Sequence, residues 1–432
     1  MKKSLYKIFF MISGILIPVM LFAQQRFPRP DFESGYQVPS PTTPEPRSAS
    51  MELFDVFLLL GFLSLVTWFV LKKRSRKGIL YLSILALLYF GFYRNGCICA
   101  IGGIQNVALA IADPGYAISL TALAFFVLPL LFALFAGRVF CAGVCPLGAI
   151  QELIILKPVS IPKGLQKALG LIPYVYLGLA ILYAVTRTDF IICRYDPFVG
   201  IFRLDATYTM LLLGGSFLIL GMFVARPYCR FLCPYAVLLN WMSANSWKHL
   251  SITPAECIDC KLCDQSCPVD AINKPAAEPV STHADTRRFL LSLILIPVLV
   301  FLGGFILSKS HIYLSRANHT VQLAELLITN PEVRNDPENL DVQAFLTSGK
   351  TLDLLVNEAA VIRRNFKTGG WWVGGFFGLA FGLIFAGKTV FRNRKDYTPD
   401  KGNCLSCGRC MNYCPVGKPD YLNLMKDGIK SN

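Results

Sequence analysis

Charge is scarce in this chain. Asp, Glu, Lys and Arg make up 16% of its 432 residues, against 54% hydrophobic ones. Soluble domains carry about a quarter charged residues, so the balance places the chain in the membrane class. Histidine is scarcer still. His249, His283, His311 and His319 are the only four, and none lies inside an apolar run. That argues against paired-His b-type haem. No C-x-x-C-H haem attachment site occurs. A Walker A loop and a G-x-G-x-x-G turn are also missing, so neither ATP nor NAD binding is supported. The net charge of +15 comes from Lys and Arg in short loops beside apolar runs. They form no separate basic domain, which speaks against nucleic acid, and the positive-inside rule accounts for them.

Cysteine, in contrast, is plentiful. Of 15 cysteines, eight form two copies of C-x2-C-x2-C-x3-C-P. The first is Cys257, Cys260, Cys263 and Cys267; the second is Cys404, Cys407, Cys410 and Cys414. Three close thiolates followed by a fourth and a proline are the ligand pattern of [4Fe–4S] clusters. Zinc ribbons pair two distant C-x2-C units and lack this form. In two-cluster ferredoxins the fourth cysteine of each motif serves the other cluster. Cys257, Cys260, Cys263 and Cys414 are thus expected to bind one cluster, and Cys404, Cys407, Cys410 and Cys267 the other.

Apolar spans run at about 53–71, 78–93, 116–136, 168–186, 209–225, 289–308 and 370–388. About 20 residues cross a bilayer as a helix, so the sequence predicts about seven spans, with 78–93 and 209–225 short. The spans read as free of Asp, Glu and Lys, which weakens a transporter reading. Residues 1–23 read as a signal peptide or an uncleaved anchor, and 24–50 as a Pro-rich extracytoplasmic linker. The expected order continues with a membrane core (51–248) and a first cytoplasmic ferredoxin motif (249–284). A transmembrane helix (285–308), an extracytoplasmic helical cap (309–369) and a Gly-striped transmembrane helix (370–390) precede the second motif (391–432). Basic loops such as Lys72–Lys77 put both motifs in the cytoplasm. Gly370, Gly374, Gly378 and Gly382 share one helix face, suited to a partner subunit or to another helix of this chain.

The other seven cysteines are patterned too. Cys141-x3-Cys145-Pro146 matches Cys229-x3-Cys233-Pro234, and Arg138, Arg226 and Arg230 lie close in sequence. Proline after cysteine suits the first turn of a helix, where the backbone favours an anionic sulfur. A membrane cluster, redox thiols, or plain packing by small residues all fit these four. Cys97-x-Cys99 and Cys193 resemble degenerate copies at the opposite face. An outer-face site, a disulfide or simple packing is open for them. Copies alternating between faces suggest inverted repeats with half-helices.

The stretches Arg138-Val-Phe-Cys-Ala-Gly-Val-Cys-Pro-Leu-Gly-Ala-Ile and Arg226-Pro-Tyr-Cys-Arg-Phe-Leu-Cys-Pro-Tyr-Ala resemble the membrane polyferredoxins of the periplasmic nitrate reductase and nitrous-oxide reductase accessory systems. The resemblance covers residues 78–267. It implies electron transfer from the quinol pool or a cytoplasmic donor toward a periplasmic reductase or its maturation system. Two features depart from it: the motifs are split by a membrane hairpin, and no outer flavin domain or Ser/Thr-Gly-Ala-Thr motif for covalent FMN is present. The sequence therefore predicts an all-α polytopic membrane protein with a small cytoplasmic two-cluster ferredoxin-like module, in the bacterial inner membrane. Its expected role is electron relay between a cytoplasmic donor or the quinone pool and a periplasmic redox partner, as a quinol dehydrogenase or an electron-transfer subunit. The rival roles are maturation or redox regulation of a periplasmic metalloenzyme, and transport through inverted repeats.

Overall fold

The computed structural model describes residues 48–96, 100–156, 158–204, 207–253, 257–275, 283–335, 339–387 and 394–417. The expected signal, nearly all of the linker, Cys97 and Cys99 lie outside the described residues.

An apolar run with few helix breakers builds α1 (Ala49–Leu71). Ser75 caps α2 (Arg76–Ala86), its hydroxyl accepting from the Gly78 N–H at 3.3 Å. This helix passes directly into a π-helical turn over Leu87–Tyr93. The short α3 (Ala100–Ala112) and the 17-residue α4 (Leu120–Ala136) follow. Gly137, at φ 77°, ends α4; that left-handed conformation suits glycine. Two small helices come next, α5 (Val139–Gly143) and α6 (Pro146–Leu153). Then come α7 (Lys163–Leu169), α8 (Ile172–Val185), α9 (Ile191–Tyr195), α10 (Val199–Arg203) and α11 (Tyr208–Phe223). A second pair of small helices, α12 (Pro227–Phe231) and α13 (Tyr235–Ala244), closes this part.

The first ferredoxin motif contributes α14 (Leu262–Ser266) and β1 (Ile272–Asn273). After it come α15 (His283–Lys309), α16 (His311–Ser315), α17 (His319–Thr329), α18 (Leu340–Thr347) and the 35-residue α19 (Leu352–Ala386). The second motif adds β2 (Thr398–Pro399) and α20 (Arg409–Tyr413).

Four helices among the described residues are long and apolar enough to cross a membrane: Ala49–Leu71, Gly164–Val185, Leu290–Lys309 and Leu352–Ala386. This corrects the expectation of seven. The run at 78–93 is split between α2 and the π-helical turn. The runs at 116–136 and 209–225 yield helices of 17 and 16 residues, under the ~20 needed to cross. Together with α3 they are shorter apolar helices of the bundle. The expectation of spans without acidic residues also needs correction. Asp55 lies inside α1, fully buried, with an ion pair to Arg94 at 2.8 Å and a hydrogen bond from Tyr89 at 2.7 Å. A carboxylate in an apolar helix persists where partners face it.

The glycine stripe of α19 packs against α15. A Cβ on Gly378 would strike the Leu299 carbonyl, and one on Gly374 the Gly303 carbonyl. Close backbone approach is what small-residue seams allow, and here the neighbour belongs to the same chain. Beyond this hairpin, Val321, Ala324, Leu327, Val342, Leu355 and Ala359 form a small separate helical core. The main core is continuous from membrane helices (Leu59, Leu63, Leu177) to the ferredoxin segments (Leu250, Val269, Tyr397, Val416).

Candidate metal centres

The two ferredoxin motifs fold alike. Asp259 and Ser406, each two residues after the first cysteine, have φ of 50° and 53°. Lys261 and Gly408, each four residues after it, have φ of 62° and 75°. Each motif then forms one short helix, α14 or α20. Left-handed residues thus recur at matching positions of the two motifs. Strand β1 pairs antiparallel with β2, Ile272 opposite Pro399 and Asn273 opposite Thr398. That ladder joins two segments separated by the whole hairpin.

The pairing mixes the motifs. Cys257, Cys260 and Cys263 line one cleft together with Cys414, among Ile252, Ile258, Tyr397 and Val416. Cys267 lies instead within electrostatic reach of Cys404, Cys407 and Cys410. All eight are thiols outside any disulfide. Burial pushes the Cys404 thiol up to about 12, the Ser406 N–H offsetting only part of that. Burial likewise pushes Cys263 up to about 11. A buried thiolate set needs positive charge to become anionic, which bound iron would supply.

The C-x3-C-P pairs also fold alike. Cys141 is the third residue of α5 and Cys229 the third of α12. Cys145 N and Val144 N both donate to Phe140 O, at 2.9 and 3.0 Å. Cys233 N and Leu232 N both donate to Tyr228 O, at 2.9 Å each. Cys145 caps α6, and Cys233 directly precedes α13's cap, Pro234. The four cysteines line one cleft, walled by Phe140, Leu147, Tyr228, Tyr235 and Leu239. All four are buried. Gln151 donates to Cys229 Sγ at 3.4 Å, and its carbonyl oxygen accepts from Tyr228 N at 3.2 Å. Arg138 reaches Cys141 Sγ at 3.8 Å. Arg226 donates to Cys141 O at 2.6 Å and to Glu152 at 3.0 Å. Arg230 turns away from this cleft to Asp270 of the first ferredoxin motif, at 3.8 Å.

Among the described residues, no group of three or more His, Cys, Asp or Glu is arranged to hold a single metal ion. Four sulfurs on one zinc would stand about 3.8 Å apart, given Zn–S bonds of ~2.3 Å. Cluster thiolates bind different irons and stand wider, which suits clefts lined by four cysteines that form no single-ion grouping. The donor sets therefore fit clusters better than single ions.

Beside Cys193, Gln105 repeats one contact of Gln151. Its carbonyl oxygen accepts from Ile192 N at 2.9 Å, next to Cys193, as Gln151 does beside Cys229. Gly102, in the position of Gly148, lies where a Cβ would stand 3.2 Å from Cys193 Sγ. Tyr228 links the two regions, donating to buried Asp196 at 3.4 Å. Gln105, Gln151, Glu152 and Asp196 were not singled out by sequence reasoning. Gln151 and Glu152 carried a signal: both follow Cys145-Pro146 in an otherwise apolar half-helix.

A 4Fe–4S binding domain model matches residues 118–163 and 206–251. These segments hold the C-x3-C-P pairs and none of the eight ferredoxin cysteines. NirI of Paracoccus denitrificans is 30% identical over 32% of this chain and 22% of its own length. The regulatory protein NosR of Stutzerimonas stutzeri is 25% identical over 46% of the chain and 30% of its own. The chain is homologous over part of its length to NirI and NosR, and carries the 4Fe–4S binding domain pattern in two copies. It is also similar to the uncharacterized protein MJ0750 of Methanocaldococcus jannaschii, 29% identical over 43% of the chain and 79% of that protein. The chain thus spans most of MJ0750 but less than a third of NirI or NosR. No solved structure matches it. The protein is accordingly a membrane-bound iron–sulfur protein, multi-pass and largely helical.

Proposed function

We propose that this protein supplies electrons through the membrane for the assembly or upkeep of a redox metalloenzyme on the far side. A [4Fe–4S] cluster, where bound, acts as a one-electron carrier. Cys257, Cys260, Cys263 and Cys414 would hold one, and Cys404, Cys407, Cys410 and Cys267 a second. The core quartet Cys141, Cys145, Cys229 and Cys233 would hold a third. Both ferredoxin sets face the cytoplasm in this reading, following the basic loops.

One observation carries the reading. Arg226 stands within electrostatic reach of Cys407 of the second ferredoxin set and of Cys141 and Cys229 of the core quartet. A single side chain thus bridges the two sites. The apolar wall of Phe140, Tyr228 and Tyr235 keeps water from the quartet. Tyr176 lies within electrostatic reach of Cys233 and of Cys193, marking a way toward the outer end. The likeness to NirI and to the regulatory protein NosR favours an accessory role over bulk respiratory relay. A quinol or a cytoplasmic reductant would be the donor, and a thiol or metal centre of the partner enzyme the acceptor.

Iron and sulfide counts on the purified protein test this. About eight irons fill the two ferredoxin sets, and the reading expects a clear excess. Cys145→Ser should remove only the excess. A count of about eight in the native protein would leave the quartet without a cluster and end the reading.

A further inference from the structure

Glu152 sits where the ferredoxin module meets the membrane core, and nothing in the iron–sulfur reading assigns it a role. Its carboxylate is buried, with 5% of the side chain exposed. Three guanidiniums from three separate elements converge on it. Arg76, opening α2, donates at 2.6 Å; Arg226, capping α12, at 3.0 Å; and Arg409, opening α20 in the second ferredoxin motif, at 2.8 Å.

Each end of this cluster is tied to a site backbone. Arg76 also donates to Cys407 O at 2.7 Å, and Arg226 to Cys141 O at 2.6 Å. A continuous polar chain therefore runs from the Cys407 carbonyl through Arg76, Glu152 and Arg226 to the Cys141 carbonyl. One member is held against local preference. Arg226 has φ 48° and ψ 58°, a left-handed conformation that a long side chain seldom adopts. Such strain persists where surroundings over-determine it, and it concentrates at functional sites. Arg226 Nη2 is buried without a hydrogen-bond partner, and its charge faces the sulfurs of Cys229, Cys407 and Cys141. Three cations against one anion leave a net positive field beside both sulfur sites. A surface ion pair would be worth little; a buried network of this kind is costly unless fully paired.

We infer that Glu152 is a positioning residue that locks the second ferredoxin site against the core quartet and, with Arg76, Arg226 and Arg409, sets the field under which that site is reduced. This rests on the iron–sulfur reading above. Removing the carboxylate makes the surroundings more positive and favours the reduced, more negative state. Removing one arginine does the opposite.

The test is a dithionite titration of the full-length, iron-loaded protein in detergent, followed by EPR. Glu152→Gln should keep the ferredoxin irons and shift the second site's reduction equilibrium at least tenfold toward the reduced form, ~59 mV for a one-electron couple. Arg409→Gln should shift it the other way, and Glu152→Asp should return it near the native value. Both substitutions moving the potential in one direction, or neither moving it while iron is retained, overturns the inference. If Glu152→Gln does not accumulate, Arg409→Gln and Arg76→Gln decide: a potential that fails to fall overturns it. An iron count of about eight with oppositely shifted potentials would keep this inference and remove the core-quartet reading. A higher count with unmoved potentials would do the reverse.

Discussion

His249 shows how one side chain ties the ferredoxin module to the membrane core. It packs against Gly137, where a Cβ would strike its ring. Its Nε2 is buried without a hydrogen-bond partner. Burial first, and then the Lys401 ammonium, lower its pKa from 6.5 to about 4, with Asp400 opposing. The folded state thus keeps the ring neutral, while the unfolded chain takes up a proton below about 6.5. The stability this contributes is complete above that pH and is lost as pH falls from about 6.5 toward 4. Thermal unfolding at pH 7.5 and pH 5 should show a drop that His249→Gln abolishes. An equal drop in the variant would assign the pH dependence to other groups. The residues most legible in sequence were the cysteines, because spacing alone encodes their chemistry. Glu152 and Asp55 were not, because their partners Arg76, Arg226, Arg409 and Arg94 come from other elements.

Secondary-structure elements carry two predictions. The α15–α19 seam depends on glycine at particular turns. Gly378→Ala would drive a methyl into the Leu299 carbonyl, whereas at Gly375 the nearest atom to a Cβ stands 3.6 Å away. Overpacking typically costs about 1–3 kcal/mol. Gly378→Ala should lower the unfolding midpoint in detergent while Gly375→Ala leaves it unchanged; equal effects would contradict the seam. The second concerns the β1–β2 ladder, which brings Cys414 to the cleft of Cys257, Cys260 and Cys263. Cys414→Ala should alter the EPR signature of that site. A change confined to the site of Cys404, Cys407 and Cys410 would mean that each motif closes its own set. Apolar runs gave the positions of most helices, but not their ability to span. Length failed as a guide where the chain turns π-helical at Leu87–Tyr93, and where the run from 116 becomes helical only at Leu120.

At the scale of the molecule, one continuous core joins membrane helices to the ferredoxin module, so the module is not a tethered domain. Five backbone or side-chain bonds of 2.6–3.4 Å from Arg74, Arg76, Arg138 and Lys401 help dock its two segments. The proposed orientation puts the module inside and the helical cap outside. An impermeant maleimide on intact cells should label a cysteine placed at Asn330 and spare one at Asn412. The reverse pattern would overturn the orientation.

The central claim is that electrons pass from the module through the core quartet to the far side. Proteoliposomes holding the protein with its module outward, with a redox dye sealed inside and dithionite added outside, test it directly. The account predicts reduction of the dye by the native protein and its loss in Cys145→Ser and Cys233→Ser, with both ferredoxin signals intact. Reduction at the native rate in those variants would contradict it.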